Sequence, residues 1–593
     1  MRHISRAHKT ILSLICIAFL SVNTFGRAVG SGAVPPQDAT TPTTSYTLTI
    51  TLAGTGGGTV TSTPAGISCK PTCQASFAAG TSVLVTASAI KGSYFAGWSG
   101  ACKGSAGKCT VTMNSNLSAT ATFNVNNTVK VLNHIIFLAQ ENRSLYHYLG
   151  YMRQYWKNNK FSDQSFDGLP QFNPTSGIAP LYGPPPTNPG CDPAYPPPAD
   201  CTEDSASPNV TSYHLITQCI ENPSPSWNES HQDWNLDEPI STTPLLNGYV
   251  WTNAHDARNN TPPFYDTNGI RPMGYYQDID LNYYYYMASQ FATSDRWFSP
   301  VMTRTQPNRD YLIAATSQGY VYPIGTDSGD QNLLTAMPIF EALQNAGITW
   351  KIYVNPASSP CASNPTPECL LTISYIQNFT WGQTVPQNYP NNLVPISQYY
   401  TDVQNGTLPQ VAMIEPAYDA GLDEHGSDSD QYPVNIQLGA QYVEGLINTL
   451  MTSVSWKDSV FILTYDEAGG IYDHVPAQPA VSPDGIKPVD LEPNDICTGN
   501  TGPNCDFIYT GYRVPLIVIS PYAKKHYVNH NVADYTAILK LIETRFNVAA
   551  LTKRDAAQIN MTQFFNFSFP PWLTPPNPPA QSTNGACYLN KLP

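Results

Sequence analysis

Charge is what this sequence has least of. Only 12% of its 593 residues are Asp, Glu, Lys or Arg, about half the usual share of ~25%. What charge there is leans acidic, with Lys+Arg 29 against Asp+Glu 43 and a net charge of −14. An acidic chain without a basic run repels nucleic acid and anionic lipid, which excludes the nucleic-acid-binding classes. Beyond the N-terminus no apolar run approaches the ~20 residues that a membrane-crossing helix needs, so no transmembrane segment is expected. Disorder through the whole chain is excluded too, because the hydrophobic fraction is 41%, enough to bury a sizeable core. Gly at 39 and Pro at 53 together exceed the ~12% norm and point to a loop-rich surface. Tyr at 36 and Trp at 10 are high, which suits a protein that grips a ligand with aromatic faces.

The first residues read as an address. Arg2, Arg6 and Lys9 precede a short apolar run ending at Val22, and the small residues Gly26, Ala28, Gly30 and Ala33 follow. That is the pattern of a secretory signal over residues 1–30, which predicts a protein exported to the periplasm, the cell surface or the medium. Export changes how the 13 cysteines read. Setting Cys16 aside leaves an even number in an oxidising compartment, so disulfides are expected. Cys69 and Cys73, Cys102 and Cys109, Cys361 and Cys369, and Cys497 and Cys505 lie close together. Cys191, Cys201 and Cys219 form a further group, and Cys587 needs a distant partner. A zinc site at Cys69, Cys73, Cys102 and Cys109 is the alternative, although the spacings are loose and no His lies nearby.

Residues 31–45 are a Pro/Thr linker. From 46 to 124 polar and apolar residues alternate, as in Thr47-Leu-Thr-Ile-Thr-Leu52 and Ser82-Val-Leu-Val-Thr-Ala-Ser88, with Gly and Ser/Thr turns between. Period-two alternation predicts a small all-β module, and its lack of His makes chemistry there implausible. From Val129 the pattern becomes α/β. Strands are expected at Val131–Leu138, Thr349–Val354, Ser459–Tyr465 and Val514–Ser520, with helices at Met337–Ala346, Gln441–Met451 and Ala533–Phe546. That alternation predicts a mostly parallel sheet with helices on both faces, in a catalytic domain over 129–570, before a Pro-rich C-terminal tail at 571–593. Residues 160–280 have weak periodicity and read as an insertion that shapes a cleft.

In such sheets ligands bind at the carboxyl ends of strands. One strand ends in Gln140-Glu141-Asn142-Arg143-Ser144, and another in Asp466-Glu467-Ala468-Gly469-Gly470. Acidic groups directly after a buried strand are costly unless something binds them. Helix caps and surface acids are the plain alternative. Taken together, Glu141, Asn142, Asp466 and Glu467 offer hard oxygen ligands for one divalent cation, whose identity the sequence leaves open. Thr305, in Thr305-Gln-Pro-Asn-Arg309, precedes a plausible helix. It is either an N-cap or a hydroxyl placed by a cation and a helix dipole to attack phosphorus. His425 and His474 are candidates for proton delivery to a leaving oxygen, with His214 and His231 in the insertion.

These pieces resemble the bacterial phosphoesterase family that contains the haemolytic and non-haemolytic phospholipases C and the AcpA-type acid phosphatases. The matching segments are Gln140-Glu-Asn-Arg-Ser144, Met273-Gly-Tyr-Tyr276, Thr305-Gln-Pro-Asn-Arg309, Asp423-Glu-His425, Thr464 to His474, Gly511-Tyr-Arg-Val-Pro515 and Ile519-Ser-Pro521. The resemblance implies an alkaline-phosphatase-like α/β core and a single metal held by Glu141, Asn142, Asp466, Glu467 and the nucleophile Thr305. It also implies active-site roles for His425 and His474. One departure is Pro225, where family members carry a His before Ser226-Trp227; His231 is retained. The β module, with Gly58 to Pro64 and Phe95 to Ala101, resembles InlB-type repeats of bacterial surface proteins, which implies a spacer or a cell-surface contact. The expected activity is metal-dependent phosphate-ester hydrolysis through a covalent phospho-threonine. A phospholipase C-type diester with a zwitterionic head group is favoured, and the tyrosines at 275, 276 and 283–286 are candidates for a choline cage. The alternatives are an acid phosphatase acting on monoesters and a non-catalytic surface adhesin. A sulfatase is disfavoured, because Thr305 cannot become a formylglycine.

Overall fold

The computed structural model describes residues 44–591 apart from 71, 91–92, 126–127, 204–206, 261–263, 325–331, 358–359, 428–432 and 500–501. The expected signal peptide and nearly all of the linker lie outside the described residues.

The alternating segment folds into eight strands between Ser45 and Val125, arranged as two four-stranded sheets. Every second residue turns inward, so Leu48, Ile50, Val60, Val83, Val85, Trp98, Met113 and Phe123 form the core between the sheets. The four cysteines that could have suggested zinc instead pair as Cys69–Cys73 and Cys102–Cys109.

The α/β part is organised by one eight-stranded sheet. Its order is Leu393–Pro395, Trp350–Val354, Val411–Ile414, His134–Gln140, Ser459–Tyr465, Leu516–Ile519, Ala292–Ser294 and Tyr527–Asn529. The first five run parallel, while Leu516–Ile519 is antiparallel to both of its neighbours. The central strands read as continuous apolar runs, Ile135 to Ala139 and Val460 to Leu463, because both of their faces are covered. The helix Ile436–Met451 buries Ile436, Ala440, Val443, Ile447 and Leu450, a stripe at helical spacing. Its first turn is closed by the Asn435 side chain, which accepts from the Gln437 N–H.

Several boundaries differ from the expected ones: the helix expected from Gln441 begins at Ile436, and two other starts differ for local reasons. The strand expected from Val131 begins at His134, because Val129–Val131 closes a 3-10 turn capped by Thr128. The helix expected from Ala533 begins at Thr536. Ala533 and Asp534 instead pair with Trp297 and Phe298 as a short strand, and the Asp534 carboxylate accepts the Thr536 N–H at 2.9 Å. The Pro-rich C-terminus is no loose tail. Trp572 is buried, the Trp456 indole donates to the Trp572 carbonyl at 2.8 Å, and Cys587 is bonded to Cys219. Cys191–Cys201, Cys361–Cys369 and Cys497–Cys505 complete the disulfides.

Candidate active site

Sheet register does the first part of the assembly. Gln140 lies opposite Tyr465 in adjacent parallel strands, so the polar segments that follow leave the sheet side by side. Asp466 is the knot between them. Its Oδ1 accepts the N–H of Asn142 at 3.0 Å and of Glu467 at 2.8 Å, while its own N–H donates to the Gln140 carbonyl at 3.0 Å. Asn142 sits in the left-handed region at φ 54°, which Asn tolerates better than most residues. Gly469 is required by the close approach of the two segments. At φ +71° a Cβ there would lie 2.6 Å from the Asn142 carbonyl oxygen.

The Thr305–Arg309 motif supplies the opposite wall. Thr305 is the first residue of the helix Thr305–Ala314. Pro307 falls in the first turn, where its missing N–H leaves no helical bond unmade. The Asn308 amide folds the preceding loop back, accepting from Val301 N–H at 3.1 Å and donating to the Thr303 carbonyl at 2.7 Å. Thr305 Oγ1 then lies 3.3 Å from Glu141 Oε2 and 3.4 Å from Asn142 Oδ1. One turn on, Arg309 lies 2.7 Å from Glu141 Oε1 and 3.5 Å from Asp466 Oδ2, with its guanidinium 5.0 Å from the centre of the Tyr375 ring.

The balance of charge at this point is unfinished. Glu141, Asp466 and Glu467 are all buried, and Arg309 offsets only part of their charge. Burial and, next, the charge of Glu141 push the Asp466 carboxyl up to about 7. Burial and then Asp466 push Glu467 well above the carboxylate range, and burial raises Glu141. Asp466 Oδ2 and Glu467 Oε1 are buried without a hydrogen-bond donor. With Glu141, Asn142 and Thr305 they make an all-oxygen donor set that fits a hard divalent cation. The side chains do not form a closed shell as they stand: among the described residues no three acidic, His or Cys groups are drawn together as a metal cluster.

The histidines fall in different places. His425 follows the neighbouring strand Val411–Ile414, and its loop is stitched to the site by the Glu141 N–H, which donates to the Asp423 carbonyl at 2.9 Å. The His425 Nδ1–H donates to the Gly426 carbonyl at 2.8 Å, which leaves Nε2 for other partners. His474 is bound elsewhere. Its Nε2 lies 3.3 Å from Asp167 Oδ1 and its ring packs on Tyr146 at 4.7 Å. Burial and the charge of Arg513 lower its pKa to about 2, so the ring is neutral. His214 is paired with Asp280 at 2.7 Å. His231 is fully buried between the Trp227 and Asn504 carbonyls and is a packing residue.

Residues without a role in the sequence reading also appear. Glu424 has φ +71°, and its carboxylate is caged by Tyr148 at 2.7 Å, Tyr465 at 2.9 Å, Tyr284 at 2.5 Å and Gln140 at 3.2 Å. Arg143 donates to its carbonyl. The cage holds the backbone directly before His425, and the only hint of it in sequence is adjacency to that His. It also corrects the expected choline cage. Tyr276, Tyr283, Tyr284 and Tyr285 are buried, Tyr284 is committed to Glu424, and Tyr285 donates to the Tyr276 carbonyl.

The chain is 29% identical over 475 residues to "Phospholipase C B" of Mycobacterium tuberculosis, covering 75% of this chain and 80% of that protein. It is 28% identical over 450 residues to "Non-specific phospholipase C4" of Arabidopsis thaliana, covering 71% of this chain and 69% of that protein. Among solved structures, murine ectonucleotide pyrophosphatase/phosphodiesterase 5 overlaps with TM-score 0.30 at 13% identity, over 49% of this chain and 96% of that one. The divergent InlB B-repeat domain matches residues 46–127. The phosphoesterase family model matches residues 132–549, which include every residue of the site above, and the chain therefore belongs to the phosphoesterase family, hydrolases of phosphate esters.

Proposed function

We propose that the protein is a secreted, divalent-metal phosphodiesterase of phospholipase C type that works through a phospho-threonine. The observation that carries this reading is the Thr305 hydroxyl at a helix N-terminus, 3.3 Å from Glu141 and 3.4 Å from Asn142, beside carboxylate oxygens that have no donor. Glu141, Asn142, Asp466, Glu467 and Thr305 would hold the metal, which when bound lowers the proton affinity of the hydroxyl and offsets the phosphate charge.

The chain's own groups do the rest. Thr305 Oγ1 attacks phosphorus while its proton leaves toward Glu141 Oε2. The bond from phosphorus to the leaving oxygen breaks, and that oxygen takes a proton from His425. His425 is preferred to His474 for this role because its loop is tied to Glu141, whereas His474 is neutral and held by Asp167. Water then attacks phosphorus and gives a proton to His425, while the proton on Glu141 returns to Thr305 Oγ1 as its bond to phosphorus breaks, which releases the head group as its phosphate monoester. Arg309 keeps Glu141 and Asp466 in place, and backbone N–H groups at the start of the Thr305 helix favour the anion. The relatives named phospholipase C support a diester lipid substrate, and the disulfides suit an exported protein. The β module fits a spacer or cell-surface contact.

The test compares p-nitrophenylphosphorylcholine with p-nitrophenyl phosphate on one preparation, with added divalent ions. Preference for the diester is expected. A clear preference for the monoester moves the protein to the acid-phosphatase side of the family.

A further inference from the structure

The insertion at 160–280 carries nine of the nineteen large apolar side chains that are exposed among the described residues, on about a fifth of the sequence. Three of the nine crowd one loop, where Ile178 is 52% exposed, Leu181 50% and Tyr182 55%. The loop is firmly built. Its ends are closed by Tyr182 N–H donating to the Pro174 carbonyl at 2.7 Å and Gly183 N–H to the Pro170 carbonyl at 3.1 Å. The buried guanidinium of Arg153 reaches in, donating to the carbonyls of Ile178 at 2.8 Å and Pro180 at 2.5 Å and to Asn173 Oδ1 at 3.2 Å. The Pro174, Ile178 and Pro180 carbonyls are thus met from the protein side, while the apolar side chains are exposed.

Two further features say what meets this tip. No acidic, basic or His residue occurs between Asp167 and Asp192, so burying the tip desolvates no charge. Its stem is joined to the active site. Leu169 and Phe172 share an apolar cluster with Met302, just before the Thr305 helix, and Ala468, directly after Glu467.

We infer that the loop 174–182 seats the protein on a zwitterionic phospholipid surface beside the mouth of the active site. This inference rests on the phospholipase reading. A segment seated in the head-group layer presents apolar or tyrosyl tips and carries no charge, as this loop does. The net charge of −14 sets the choice of lipid, since an anionic surface repels the protein as a whole. A soluble monoester substrate would require none of these features.

The experiment measures co-sedimentation of the full chain with phosphatidylcholine vesicles, for the natural protein and for a variant combining Ile178→Ser, Leu181→Ser and Tyr182→Ser. The vesicle partition coefficient should fall at least roughly tenfold in the variant, given the apolar area removed. Turnover of p-nitrophenylphosphorylcholine should stay unchanged, which also shows that the variant is folded, while hydrolysis of vesicular phosphatidylcholine drops. Vesicles rich in phosphatidylglycerol should bind the natural protein more weakly than phosphatidylcholine does. Equal binding by variant and natural protein, or no vesicle binding by either, overturns the inference. So does a dimer of the natural protein that the three substitutions dissociate, since the loop would then face a second copy. Because binding is read without turnover, the two readings fail separately. Vesicle binding with activity only on p-nitrophenyl phosphate sinks the diesterase reading and leaves the loop, and the reverse outcome does the opposite.

Discussion

Asp466→Asn should move metal binding and metal-free stability in opposite directions. Asp466 is fully buried, and its carboxyl titrates at about 7 against an ordinary 3.8, first because of burial and then because of Glu141. At ~1.4 kcal/mol per pH unit, the ionised form is disfavoured in the metal-free fold by about 4 kcal/mol, an upper bound because the neighbouring carboxylates share the strain. Between the unfolded and folded pKa values the native state binds more protons than the unfolded chain. Metal-free stability therefore falls as pH rises from about 4 to about 7. Asparagine keeps the geometry, since its Oδ1 can still accept from the Asn142 and Glu467 N–H groups now at 3.0 and 2.8 Å, and it removes the charge. In chelator, the variant should melt higher than the natural protein at about pH 8, with the gap closing near pH 4. Without chelator it should purify with no bound divalent metal and show no turnover. Elemental analysis and calorimetry of both proteins check this. Full metal occupancy in Asp466→Asn, or a metal-free variant that melts below the natural protein at the higher pH, would refute the reasoning.

Three further outcomes are expected. Thr305→Ala should reduce turnover by several orders of magnitude and Thr305→Ser should keep part of it, and denaturing the natural enzyme during turnover of a diester should leave the head group's phosphoryl ester on Thr305, read by mass spectrometry; a fully active alanine variant excludes the nucleophile role. Glu424→Gln replaces a carboxylate that accepts from three tyrosines and Gln140, so kcat should fall roughly tenfold, about 1.4 kcal/mol, and the pH profile should shift while metal content and KM hold. A profile that does not move would mean that the cage only stabilises the fold. A chain starting at Thr128 should retain turnover on a small soluble diester, because no site residue comes from the β module; a folded but inactive truncation would show that the module completes the site.

How far the sequence carries the site depends on whether its parts lie in one segment or several. Glu141, Asn142, Asp466 and Glu467 were legible because acidic groups directly after a buried apolar strand are costly, and that contradiction is visible in a few consecutive residues. The pairing of Gln140 with Tyr465 then follows from two such strands being neighbours in one parallel sheet. Arg309 was within reach, since four residues after Thr305 is the same helix face. The tyrosines are the opposite case. Tyr283 to Tyr286 lie consecutively on the helix Asn282–Gln290 and so point in different directions. Tyr284 turns toward a carboxylate that arrives after a different strand, and Tyr285 toward Tyr276. A count of aromatic rings sees a ligand cage where the fold makes a buried anchor for Glu424, assembled with Tyr148 and Tyr465 from two further elements. His474 shows the same limit for protonation. It closes the acidic loop in sequence, yet its neutral state is set by burial and then by Arg513, and its place by Asp167 far upstream. The identities of the chemical groups were therefore readable along the chain, while their partners, and with them the roles of acid, anchor and counter-ion, exist only once the sheet has brought distant segments together.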